Sequence, residues 1–159
     1  MNYRIPVLVL LVFLSSCGFQ LQGRTPLPEP LKVTFVQAED PQSDFVQGLR
    51  KALITSGAKL ANSSDAASGT VRIVKDEVKR NVLSVSARNT PREYEVTYTV
   101  RFSVSAGGKE LLPEQEVALS RDYSFDETIL LAKEHEEALL REALAKDLVG
   151  IVMRRLASL

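Results

Sequence analysis

Residues that build catalytic or metal centres are scarce. One cysteine and one histidine occur in 159 residues. A zinc site needs several histidines, a pair of thiolates or a tight set of carboxylates. His135 stands instead in Lys133-Glu134-His135-Glu136-Glu137, a charged helix surface on which the three glutamates do not share one face. No nucleophile elbow, phosphate loop or dinucleotide fingerprint is present. Ser124 and Asp126, beside Tyr123, read as a strand end and a helix cap. Catalysis, a metal and a cofactor are therefore not expected. A single thiol also leaves no internal disulfide framework. Charge of one sign is not in excess, with 20 basic and 20 acidic residues. Coating of nucleic acid is thereby excluded, and an anionic ligand would have to be met by a local cluster. No apolar run reaches the roughly 20 residues of a membrane-spanning helix, and no internal repeat is visible.

What is present begins at the N-terminus. Arg4 precedes an apolar run from Ile5 to Leu14, which ends in Leu14-Ser15-Ser16-Cys17. A positive region, an apolar region and small residues before a cleavage point make a secretory signal peptide. Leu-Ser-Ser before a lone cysteine resembles the lipobox of bacterial lipoproteins; a plain signal peptide with an incidental cysteine is the alternative. The resemblance implies cleavage after residue 16, acylation of Cys17 and a permanent bilayer anchor. Each buried CH₂ adds about 0.8 kcal/mol, and stable anchoring takes two or more chains. Gly18, where an aspartate would mark retention at the inner membrane, implies the periplasmic face of the outer membrane.

The remainder divides into a tether, 17–30, and one domain, 31–159, long enough for a single core. Pro26, Pro28 and Pro30 forbid regular helix. Leu31, Val33 and Phe35 alternate with Lys32 and Thr34 as in a half-buried strand. Asp40-Pro41 reads as a helix start, followed by Phe45, Leu49 and Leu53 on one apolar face and a stop at Ser56-Gly57. Residues 62–69 read as a loop. A ragged strand runs from Val71 to Ala87, its alternation broken over Lys75–Arg80 by a bulge or strong twist. The clearest pattern follows: Tyr94, Val96, Tyr98, Val100, Phe102 and Val104 alternate with polar residues, as in a sheet with one packed and one wet face. Gly107-Gly108 marks a hairpin. A last strand carries Val117, Leu119, Tyr123 and Phe125, with Arg121 interrupting its apolar face. From about Asp126 the pattern is helical, with Leu140, Leu144, Leu148, Val152 and Leu156 in steps of four. That helix would be about 45 Å long at ~1.5 Å per residue. The expected fold is α+β: a two-layer sandwich of order β-α-β-β-β-α, a four-stranded mixed sheet with two helices on one face and a right-handed parallel first crossover.

Basic residues gather on the ragged strand, at Lys75, Lys79 and Arg80, where Asp76 and Glu77 dilute them. They gather again around the turn Asn89-Thr90-Pro91, which Arg88 and Arg92 flank. Two arginines at a hairpin tip grip a phosphate bidentately; the competing reading is a solvated basic loop.

Laid end to end, these features resemble the LPS-assembly lipoprotein family LptE. The resemblance is carried by Cys17-Gly18-Phe19-Gln20-Leu21-Gln22-Gly23, by Glu93-Tyr94 opening the alternating strand, and by the run from Arg121-Asp122-Tyr123-Ser124-Phe125 into Leu131-Ala132-Lys133-Glu134 and a long helix ending in Arg154-Arg155-Leu156. Gln22 departs from the family's pattern, which has a basic residue there. The resemblance implies a lipoprotein that assembles with the outer-membrane β-barrel LptD, plugs its lumen and aids lipopolysaccharide assembly, with Arg88, Arg92 and Lys133 as lipopolysaccharide contacts. A lipid-anchored adaptor of another envelope machine, without lipopolysaccharide binding, is the alternative; a lipid-anchored hydrolase finds no supporting residues.

Overall fold

In the computed structural model, residues 26–124 and 130–159 are described. Cys17, most of the tether, Phe125 and Asp126 lie outside them. The described part is an α+β two-layer sandwich. Its strands are β1 (Val33–Gln37), β2 (Lys59–Leu60), β3 (Gly69–Val85), β4 (Pro91–Ala106) and β5 (Lys109–Ser124), and its helices are α1 (Asp44–Thr55) and α2 (Leu130–Ala157). The sheet order is β2-β1-β3-β4-β5. β1 runs parallel to β2 and β3, and β3, β4 and β5 form an antiparallel meander.

Five strands rather than four is the first correction. β2 pairs Val33 with Lys59 and Thr34 with Leu60 only; two residues are too few for any alternation to be seen. The second concerns β1, whose buried set is Thr34 and Val36 rather than Val33 and Phe35. Apolar residues stand on both faces here, so alternation alone mis-chose the inner one. The buried Thr34 hydroxyl is satisfied by donating to the Leu31 carbonyl oxygen at 2.6 Å. Leu31 is buried too, but from a one-turn 3₁₀ helix, Glu29–Leu31, inside the proline-rich stretch. Proline suits a first helical turn, where its missing N–H has no intrahelical partner to lose.

Helix α1 starts three residues beyond the expected cap. Ser43 is the N-cap, its Oγ accepting from the Val46 amide, while Asp40 closes a local turn by accepting from the Gln42 amide at 2.9 Å. The helix ends as expected, with Ser56 as C-cap and Gly57 at φ +94°. β3 breaks register between Ile73 and Lys75, just before the expected stretch, while Lys75–Arg80 itself pairs with β4 in unbroken register. β5 begins at Lys109, well before Val117, because Gly107 (φ 57°) and Gly108 (φ 76°) make a two-residue turn that feeds directly into pairing.

The even positions of β4 form the floor of the core. Val96, Tyr98, Val100, Phe102 and Val104 are buried, against Phe45, Val46, Leu49 and Leu53 of α1 and Leu144, Leu148, Val152 and Leu156 of α2. The odd positions face away and carry Thr97, Thr99, Arg101 and Ser103. On that open face Thr97 and Ser120 share a hydrogen bond of 2.8 Å, and Arg101 pairs with Glu114 at 3.1 Å. Arg121, the interruption in β5, reaches Asp147 of α2 at 2.7 Å.

Candidate functional site

The β3–β4 hairpin outruns the core. Val82, Leu83 and Val85 are about half exposed, at 49%, 49% and 53%. Its tip, Ser86–Thr90, is nonetheless internally bonded. The Ser86 amide donates to the Thr90 carbonyl at 2.7 Å, and the Asn89 amide to the Ser86 carbonyl at 2.9 Å. The Ser86 hydroxyl lies 2.6 Å from that of Thr90 and also accepts from the Arg88 and Thr90 amides. Asn89 takes φ 61°, a conformation asparagine tolerates well. Arg88 sits in this turn and Arg92 on the first pleats of β4; both are exposed, and neither side chain has an ion-pair partner among the described residues. Lys75 and Lys79 are different. Both are salt-bridged to Glu77, at 3.0 and 3.2 Å, and these contacts, that with Lys75 foremost, lower the Glu77 carboxyl pKa.

Behind the tip, α2 is clamped to the hairpin. One oxygen of Glu137 accepts from Arg80 at 2.8 Å and from the Tyr123 hydroxyl at 2.9 Å. The Arg80 guanidinium lies 4.9 Å from the centre of the Tyr94 ring, and Tyr94 stacks on Tyr123 with centroids 5.6 Å apart. Glu137 is the main reason the guanidinium proton is held more tightly than usual, and burial is the main reason the Tyr123 hydroxyl ionises less readily. α2 runs antiparallel to β5: Glu137 meets Tyr123, Asp147 meets Arg121, and Arg155 meets Gln115. Its N-terminal turns therefore point toward the hairpin tip. Lys133 lies one turn before Glu137 in that direction, and Arg92 lies one strand repeat beyond Tyr94 on the same sheet face. The fold thus carries Arg88, Arg92 and the backbone of Lys133 toward one end of the sandwich. Arg80, read in the sequence only as part of a diluted basic run, turns out to be the residue that joins β3 to α2. No local pattern marks it; its place opposite Val96, on the packed face, comes from the strand register of the fold.

No group of three or more histidine, cysteine, aspartate or glutamate side chains is placed to hold a metal among the described residues. The same residues contain no helix long and apolar enough to cross a membrane.

The model of the lipopolysaccharide-assembly family LptE matches residues 31–156. The chain belongs to that family. An LPS-assembly lipoprotein LptE of Yersinia enterocolitica is 24% identical over 98% of this chain and 77% of its own length. Among solved structures, lipoprotein B from Nitrosomonas europaea superimposes with a TM-score of 0.73 at 26% identity, covering 89% of this chain and 91% of that one. Rare lipoprotein B from Shewanella oneidensis gives 0.69 at 25% identity, covering 79% and 94%. These LptE-like neighbours share the α+β sandwich described above. A lipoprotein role in lipopolysaccharide assembly follows from LptE membership.

Proposed function

We propose that the protein is held by acylated Cys17 on the periplasmic face of the outer membrane, that its domain, residues 31–159, plugs the lumen of the β-barrel LptD, and that it binds lipopolysaccharide through Arg88, Arg92 and Lys133. The observation that carries the lipopolysaccharide contact is the pre-bonded hairpin tip with two arginines free of ion pairs among the described residues. A guanidinium presents a planar fork of donors to phosphate oxygens, and little ordering cost remains when the loop is already fixed. Exposed Val82, Leu83 and Val85 lie just behind these cations. A phosphorylated lipid has the matching character, anionic at one end and apolar at the other. The plug reading is supported by the open sheet face of Thr97, Thr99, Arg101, Ser103 and Ser120, which suits the polar interior of a barrel.

Replacement of Arg88, Arg92 and Lys133 together by glutamate tests the contact. Lipopolysaccharide retention by the lipidated protein is expected to fall, more at low than at high ionic strength, because exposed charges are screened within a Debye length of about 10 Å at 0.1 M salt. The barrel should still co-purify. Undiminished retention by the folded triple variant would remove these residues from the site.

A further inference from the structure

The clamp behind the hairpin tip has a consequence for the site in front of it. The first turns of α2 meet the sheet at its tip end through Glu137, whose one oxygen serves both Arg80 of β3 and Tyr123 of β5. Arg80 is fixed in turn over Tyr94, two residues from Arg92 on β4. Lys133 is one helical turn from Glu137, about 6 Å along the axis. Arg92 is one strand repeat from Tyr94, about 7 Å along the strand. Arg92 and the backbone of Lys133 therefore stand one step beyond the same clamp, on two separate elements.

We propose that Glu137 is a positioning residue. It touches no ligand, but by tying α2 to the hairpin it sets the spacing between Lys133 and Arg92, and so the span over which a lipid phosphate meets both. Arg80 is its partner rather than a third ligand cation, since its guanidinium is committed to Glu137 and the Tyr94 face. This inference rests on the reading that the tip binds phosphate. Without the clamp, the cations would remain but a bound phosphate would have to order them, and that cost would come out of affinity.

The test uses the full lipidated protein in detergent with purified lipopolysaccharide as the probe. Glu137→Ala should weaken binding roughly ten-fold, the scale of one lost charged hydrogen bond, with the folded circular dichroism spectrum retained. The double variant R80E/E137R re-forms the pair with reversed polarity at unchanged net charge and should restore most of the binding; Glu137→Ala adds one positive charge, which acting through charge alone would strengthen binding to an anionic lipid rather than weaken it. A second readout is independent of lipopolysaccharide. Spin labels on cysteines introduced at Ala87 and Ala138 report the distance between tip and helix; Cys17 is blocked by its lipid. Glu137→Ala should broaden that distribution, and the double variant should narrow it again. Unchanged distances, or unchanged binding by Glu137→Ala where the Arg88, Arg92 and Lys133 triple variant loses it, would overturn the positioning role. Binding retained by the triple variant would instead overturn the phosphate reading, and with it the role that rests on it, even if the distances confirmed the clamp itself.

Discussion

Val100 and Thr99 are neighbours with opposite environments. Val100 is fully buried on the packed face of β4, opposite Asp76 on β3 and Val117 on β5. Thr99 lies on the open face, opposite Glu77 and Ala118. Val100→Asp places an unpaired carboxylate in the core and should cost roughly 3–5 kcal/mol, a large share of the roughly 5–15 kcal/mol that holds a domain folded. Thr99→Asp faces Glu77 across the ladder and should cost about 1 kcal/mol or less. Thermal melts of the two variants check this; equal losses would refute the one-sided sheet. Alternation that is unbroken over a dozen residues made this contrast legible in the sequence. β1 shows the opposite case. Phe35 and Val33 are as apolar as Val36, and only the hydrogen bond from Thr34 to Leu31 lets a threonine take an inner position.

At the scale of elements, the three long strands and both helices were legible, because each carries enough turns or pleats for its period to show. Several of their starts were not. Asp40-Pro41 has the composition of a helix start, but Ser43 is the cap, because its hydroxyl both accepts from the Val46 amide and donates to Asp76 at 2.5 Å. That second bond comes from β3, more than thirty residues away, and no local pattern encodes it. The clamp among Arg80, Tyr94, Tyr123 and Glu137 was hidden for the same reason: it joins residues that only the fold brings together. Burial, and then the effect of the Asp76 carboxylate, push the Tyr98 pKa well above its ordinary value. The sign follows directly. Below about pH 10, the ordinary tyrosine value, Tyr98 is neutral in folded and unfolded chains alike and its contribution is intact. As pH rises past that value the unfolded chain ionises first, so stability is lost progressively toward the raised folded value. Denaturant titrations above pH 10 should show a steeper fall for the native protein than for Tyr98→Phe. Parallel curves would mean that Tyr98 ionises as freely when folded.

For the whole molecule, the organisation runs from membrane to ligand. Acylation of Cys17 should raise the intact mass of membrane-extracted protein above that of the peptide from residue 17 onward. Cys17→Ala should release or misprocess the protein while leaving the domain's melting temperature unchanged, because the core of the described residues is built from Leu31 to Leu156. An unmodified N-terminus upstream of Cys17 would defeat the anchor. Beyond the tether, the sandwich offers two faces of different use: helices closing the core on one side, and a polar sheet on the other, with a basic tip at one end. On the proposed reading, an acylated tether would confine the domain beside its barrel and raise the effective concentration of the two. If this domain works inside an outer-membrane barrel during lipopolysaccharide assembly, purification of the intact lipoprotein from membranes in mild detergent should bring with it a large β-barrel in one-to-one amount, with lipopolysaccharide bound. Recovery with a soluble periplasmic partner and no barrel would refute the plug.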